Sequence, residues 1–278
     1  MNLNGKSSNG ATPLIEHAKL SFVQVTKGFA GLDGWLPAVK DFSLDVSPGE
    51  FVCLVGPSGC GKTTVLNLAA GFINPDRGDV LLDGKPIRKP GPDRALVFQE
   101  NALFPWLKVR QNIEFGLKLA KKPQIERQVL VDFYMRLVHL EKFGNSLVHE
   151  LSGGMKQRVQ LARALALGPS VFLLDEPFAA LDALTRDLLY EEIQHILAET
   201  KQTVLLITHN VREAVILGDR VVVMRGSNPG RIETEFAVDL PRPRTFGSEG
   251  ILHLTNEILG LLKADQGVGK EPALVARD

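Results

Sequence analysis

An α/β architecture is predicted by three features of the chain. A glycine-rich turn stands between an apolar strand-like run and a helical run. Further on, short apolar runs such as Val171-Phe172-Leu173-Leu174 read as strands of a sheet covered on both faces. Between these regions the spacing changes from strand-like to helical, so a helical block interrupts an otherwise alternating order.

In chain order, residues 1–15 are rich in Asn, Ser and Gly and read as a loose tail. Residues 20–25 alternate as a strand, and 41–46 form a second short strand before a Ser-Pro-Gly-Glu turn. A buried strand at 51–55 leads into the glycine-rich turn, and 63–70 is a helix. Asp76 to Asp79 is expected as a turn, and 80–82 as a strand ending in the Asp83-Gly84 hairpin signal. Residues 94–98 are another strand.

The helical block starts near Val109. Pro123 separates a helix at 109–120 from a second one, in which Ile125, Val129, Phe133 and Leu137 recur every four residues as an amphipathic stripe. A helix at 152–167 is stopped by Gly168-Pro169. Strands at 171–174, 203–208 and 220–224 then alternate with helices at 184–200 and 211–217. A strand at 231–238, a Pro-Arg-Pro-Arg segment and a helix at 251–263 follow, and the last fifteen residues look disordered.

Composition narrows the class. At 278 residues the chain suits one large domain, or one with an inserted subdomain. The formal net charge of +0 offers nucleic acid no global attraction, so none is expected as a partner. Cys53 and Cys60 form no disulfide framework, and a reducing cytosol is the natural setting. No apolar run reaches membrane-spanning length, and residues 1–13 lack the apolar core of a secretory signal. The chain is therefore not expected to be an integral membrane protein, although it can attach to one.

Gly56-Pro57-Ser58-Gly59-Cys60-Gly61-Lys62-Thr63 fits the pattern G-x-x-x-x-G-K-[ST] at every fixed position. Glycines let the backbone curl so that N–H groups point at phosphate oxygens. Lys62 would reach the outer phosphates, Thr63 would ligate Mg²⁺, and Thr64 completes the nucleotide-loop set. The plainer alternative is a chance glycine turn, against which the strand before and helix after both argue. Asp175-Glu176 ends an apolar strand, where an Asp helps hold Mg²⁺ and the next carboxylate can act on water. A solvent-facing acidic pair is the alternative. Leu151-Ser152-Gly153-Gly154-Met155 opens a helix with a capping serine and close-approach glycines, a second anion site or simply a capped helix start.

Together Gly56–Thr63, Leu151–Met155, Val171–Glu176, Ala180-Leu181-Asp182 and His209 resemble, in order and spacing, the ABC-type ATPase domains, over roughly residues 20–225. The resemblance implies a RecA-like P-loop NTPase core, an N-terminal antiparallel β subdomain and an inserted α-helical subdomain at about 100–165. It places the ATPase domain at 16–240 and a C-terminal extension at 241–278. It further implies ATP with Mg²⁺, and a head-to-tail dimer in which ATP lies between the loop of one copy and the Ser152-Gly153-Gly154 segment of the other. By the same resemblance Phe29 stacks on adenine, Gln99 approaches Mg²⁺ and the attacking water, and Glu176 is the catalytic base. Asp182 couples the two sites, and His209 contacts the γ-phosphate. Phe29 stands where Tyr is commoner, and a buried or turn aromatic is its alternative.

Leu103-Phe104-Pro105-Trp106 resembles the nitrate/sulfonate/taurine importer group of that family. Ala179 (usually Gly) and Asn210 (usually Asp) are mild departures. Such an ATPase would sit peripherally on the cytoplasmic face of the bacterial inner membrane. Its partners would be a second ATPase copy or paralogue, transmembrane permease subunits and, indirectly, a periplasmic or lipid-anchored solute-binding protein. Trp106 is either a permease-docking anchor or a core aromatic. Competing readings are a soluble ABC ATPase with no transport role, or an importer ATPase for bicarbonate or a thiamine precursor.

Overall fold

The computed structural model describes residues 18–31, 34–99, 102–179, 181–226 and 229–264. The tail at 1–15, Ala180 and most of the last fifteen residues lie outside the described residues. Strands β1 (Leu20–Gly31), β2 (Gly34–Val46), β4 (Arg77–Leu82) and β5 (Lys85–Pro86) form an antiparallel sheet in the order β2-β1-β4-β5. Strands β3 (Phe51–Val55), β6 (Arg94–Val97), β7 (Val171–Asp175), β8 (Thr203–Thr208), β9 (Arg220–Arg225) and β10 (Arg231–Ala237) form the second sheet, ordered β10-β9-β3-β8-β7-β6. There β9, β3, β8, β7 and β6 run parallel, and β10 closes the edge antiparallel.

The helices are α1 (Lys62–Ala70), α2 (Val109–Leu119), α3 (Gln124–Leu137), α4 (Gly153–Ala166), α5 (Ala183–Thr200), α6 (Val211–Leu217) and α7 (Glu249–Ala264). Side chains alternate across a pleated sheet, so each central strand feeds two cores. Cys53, Val55, Leu174, Leu206 and Val223 point to one core, shared with α4 to α7. Their neighbours Val52, Leu54, Leu173, Leu205 and Val222 point to the other, shared with α1 and the small sheet. A third core, including Ile113, Leu117, Val131, Met135, Val138 and Val159, lies among α2, α3 and α4. No helix among the described residues is long and apolar enough to cross a membrane.

Three local expectations are corrected. Asp76 to Asp79 is not a turn: Arg77 starts β4, with Arg77 opposite Thr26 and Asp79 opposite Val23 across a register shift. The turn-type composition there marks a β-bulge rather than a reversal. Strands β1 and β2 extend far beyond 20–25 and 41–46 as a twisted arm. Its outer residues Phe29, Trp35 and Leu36 are exposed and so carry no clean alternation. In α3 most of the four-residue stripe faces solvent: Ile125, Val129 and Phe133 are exposed, Leu137 is partly buried against the first core, and Val131 and Met135 are the buried residues.

The segment after 241 is joined to the large sheet's core, since Ile251 and Ile258 of α7 belong to it. Buried Arg244 donates to the carbonyls of Leu240, Val215, Gly218 and Val238.

Candidate active site

The glycine-rich loop lies between the end of β3 and the first turn of α1. Gly61 caps α1 at φ 89, a left-handed conformation open to glycine at little cost. A Cβ there would also stand 2.5 Å from Val39 Cγ1 and 2.8 Å from the Ala38 carbonyl oxygen. At Gly56 a Cβ would meet the Met224 carbonyl oxygen at 2.5 Å. Strands β2 and β9 therefore press the loop into one shape. Lys62 is buried, and its ammonium donates to the Gly56 and Pro57 carbonyls, both at 2.9 Å. That puts the positive charge inside the curl of the loop. Ser58 and Gly59 are exposed, and nothing crowds Gly59. Cys60 is fully buried, and Thr63 and Thr64 lie in the first turn of α1, whose amide ends suit an anion.

Parallel register brings the other candidates to the same edge. Val55 lies opposite Thr208, Asp175 opposite Ile207 and Val97 opposite Leu174. The loop, Asp175-Glu176, His209 and Gln99 thus follow the carboxyl ends of four neighbouring strands, where open α/β sheets bind ligands. His209 Nδ1 lies 3.0 Å from Glu176 Oε2. A carboxylate only accepts, so this pairing requires the proton on Nδ1 and leaves Nε2 available. Glu176 has φ 42, uncommon for a residue with a side chain, and its N–H donates to the Ile207 carbonyl at 2.9 Å. Burial raises the Asp175 carboxyl above its usual range, the adjoining Glu176 adds to the rise, and Lys62 opposes it.

Gln99 is exposed just after β6. Its segment is tied to α4 on both sides: Gln160 Nε2 donates to the Phe98 carbonyl and Arg163 Nη1 to that of Ala102. Phe29 is half exposed on β1, with the Lys27 ammonium 5.8 Å from its ring. The structure thus excludes a buried Phe29. Asp182 is exposed before α5, and its carbonyl accepts from Arg186 N–H at 3.0 Å. Asn210 caps α6, its side chain accepting from the N–H groups of Arg212 and Glu213.

Ser152 and Gly153 stand apart from this edge. Ser152 caps α4 through Met155 N–H at 3.3 Å, both residues are exposed, and no atom crowds the Gly153 Cβ position. Gly154 is partly buried in the first turn of α4. This helix start is carried by the third core. Trp106 is 72% exposed, which decides against the core alternative, and stacks at a tilt on Phe104, itself against Phe115. Sequence reasoning missed a second exposed aromatic pair, Phe72 on Phe98, whose rings lie parallel 6.3 Å apart beside Gln99. Their separation along the chain left no local signal. Among the described residues no cluster of side chains is arranged as a ready metal cage.

A phosphate loop between a central parallel strand and a helix, with an acidic strand end beside it, defines a nucleoside-triphosphate-hydrolysing α/β protein. The ABC transporter family matches residues 39–179, and the chain belongs to it as an ATP-binding ATPase. It is 46% identical over 228 residues to the nitrate import ATP-binding protein NrtD of Synechococcus elongatus, covering 81% of this chain and 83% of that one. It is 47% identical over 199 residues to the taurine import ATP-binding protein TauB of Roseobacter denitrificans, covering 72% and 74%. Its fold is similar to that of the ATP-binding cassette MJ0796 in a dimeric post-hydrolysis state bound to ADP and Pi. The TM-score is 0.70 at 29% identity, over 80% of this chain and 100% of that one.

Proposed function

We propose that this chain is the ATPase subunit of an ABC importer and energises uptake of a small anion of the nitrate, taurine or alkanesulfonate class. The observation that carries the catalytic half is the convergence of Lys62, Asp175, Glu176 and His209 on one sheet edge. Glu176 is poised as the base, because its carboxylate is held by backbone strain on one side and by the His209 contact on the other. With Nδ1 engaged, His209 offers Nε2 to the γ-phosphate. Lys62 exchanges its carbonyl partners for phosphate oxygens, concentrating positive charge where negative charge grows. Thr63, Asp175 and Gln99 present hydroxyl, carboxylate and amide oxygens, a hard donor set that fits Mg²⁺. When bound, Mg²⁺ would neutralise phosphate charge.

Phe29, exposed beside a lysine, suits stacking on adenine. The open cap formed by Ser152, Gly153 and Gly154 lies on a separate core and faces solvent, which suits the nucleotide of a second copy. Asp182 lies at the start of α5, on the loop that would link the paired sites. We divide the chain into a tail at 1–15, the ATPase unit at 16–240 with its helical part at about 100–165, and an extension at 241–278. The transport half rests on the NrtD and TauB relatives and on exposed Trp106, a docking anchor for permease subunits. Those subunits, with a solute-binding protein beyond them, would hold the ATPase at the cytoplasmic face of the membrane.

Glu176→Gln tests the catalytic reading. It is expected to bind ATP, accumulate as a dimer on gel filtration and lose at least about a hundredfold in turnover. Near-normal turnover would show that the base is elsewhere. Deleting the gene should abolish growth on nitrate as nitrogen source or on taurine as sulfur source. Growth unaffected on both would remove the small-anion reading.

A further inference from the structure

Behind the catalytic edge lies a buried acid that the mechanism above does not use. Glu213, on α6, is 4% exposed. Its Oε2 accepts from the Tyr190 hydroxyl of α5 at 3.0 Å, and the Thr208 hydroxyl of β8 also hydrogen-bonds it. Thr208 immediately precedes His209 and takes the Asn210 N–H at 3.0 Å. On the other side, Tyr190 is 1% exposed, packed edge-on with Phe178 and at a tilt against Phe246. One turn earlier on the same helix, Arg186 Nη2 donates to the Leu181 carbonyl at 2.6 Å, and Arg186 N–H holds the carbonyl of Asp182. A single carboxyl thus touches the strand that ends just before His209 and the helix that starts just after Asp182.

We propose that Glu213 is a positioning residue for ATP hydrolysis, fixing His209 relative to the Asp182 loop through Thr208 and Tyr190. The inference rests on the roles given above to His209 and Asp182. Glu213 works as a protonated acid. Burial pushes its carboxyl up to about 8, against the opposing effects of Tyr190, Arg186 and Thr208, and Glu176 adds to the rise. Cys53 of β3 feels the same acid, which raises its thiol further after burial. Tyr190 and Arg186 from α5, Thr208 from β8, Glu176 beyond β7 and Cys53 from β3 are the groups that face it. Glu213 Oε1 and Arg186 Nε are both buried without a hydrogen-bond partner among the described residues. A proton on the carboxyl avoids leaving an unmatched charge there.

A neutral amide keeps the acceptor and drops the ionisation, whereas an apolar side chain loses both bonds. Glu213→Leu is expected to lower turnover about tenfold or more, the cost of unmet buried hydrogen bonds appearing in the aligned site. Its affinity for a fluorescent ATP analogue should hold within about threefold, since less than 1 kcal/mol of binding is at stake. Glu213→Gln should recover most of the turnover and lack the fall expected of wild type as Glu213 ionises above about pH 8. Tyr190→Phe, which keeps the ring packing, should lose part of the rate and serves if Glu213→Leu fails to fold. Two results overturn the proposal: a folded Glu213→Leu or Tyr190→Phe protein with wild-type turnover, or a Glu213→Gln protein as slow as Glu213→Leu. A Glu176→Gln protein that still turns over would fault the site reading instead, so the two failures are separable.

Discussion

Replacing Arg244 by Ala should unfold this protein far more readily than a surface arginine change would. Arg244 is 5% exposed, and its guanidinium lies among backbone carbonyls. It donates from Nε to the Leu240 carbonyl at 3.0 Å, from Nη2 to Val238 at 2.8 Å, and from Nη1 to Gly218 and, at 3.3 Å, to Val215. Burial is the main influence lowering its pKa, to about 10, so it remains a cation at neutral pH. That charge sits at the C-terminus of α6, where a helix dipole favours it. Truncation leaves several buried carbonyls unmet, each worth roughly 1–3 kcal/mol. Release from the cost of burying the charge offsets part of this, and the net loss should be about 3–5 kcal/mol. In a chain of this size each kcal/mol moves the melting midpoint by about 2–4 °C, giving a fall of roughly 6–20 °C. Urea unfolding followed by far-UV circular dichroism measures it. Arg244→Lys should fall between, because an ammonium cannot reproduce the planar fork. A loss below about 1 kcal/mol for Arg244→Ala would mean that those carbonyls find water, and the reasoning would be wrong.

Two further outcomes are expected. Gly61→Ala should abolish ATP binding in a filter assay while the fold survives, because a Cβ at φ 89 collides with Val39 and Ala38 and the loop must open; retained affinity would show that the loop adapts. Trp106→Ala should leave ATP binding intact but reduce co-purification with the permease, an exposed anchor typically contributing about 2 kcal/mol or more; unchanged assembly would place the docking surface elsewhere.

What the chain disclosed in advance follows from how local each feature is. Strands β7, β8 and β9 are uninterrupted apolar runs because both their faces are covered, and they were legible to within a residue. The phosphate loop is equally local, since neighbouring residues make the curl. The arm of β1 and β2 was only half legible: its outer part is exposed, so no buried face imposes alternation on it. Helix α3 shows a different limit. Apolar residues spaced by four define a stripe but do not say which side the core is on, and here Val131 and Met135 take the inner side. Arg244 and Glu213 were illegible for a third reason. Buried charges run against the expectation that such residues are exposed, and Tyr190 for Glu213, like Val215 and Gly218 for Arg244, lies more than twenty positions away in the chain.

Those two buried groups act on the same pair of helices. Gln194 of α5 exchanges two hydrogen bonds with the backbone of Arg244, at 2.7 and 3.0 Å, while the Arg244 side chain holds the end of α6. Phe246, two residues on, covers the Tyr190 ring and receives the Arg212 guanidinium at 5.7 Å. The strap at 240–246 therefore clamps α5 to α6 from outside, and Glu213 joins them from inside. Asp182 and His209 stand at the leading ends of these same helices. A chain can place catalytic groups at strand ends with sheet register alone, but register does not fix the helices that follow. Here that task falls to a segment lying beyond the residues matched by the ABC family, and substitutions in the strap should reach turnover as well as stability.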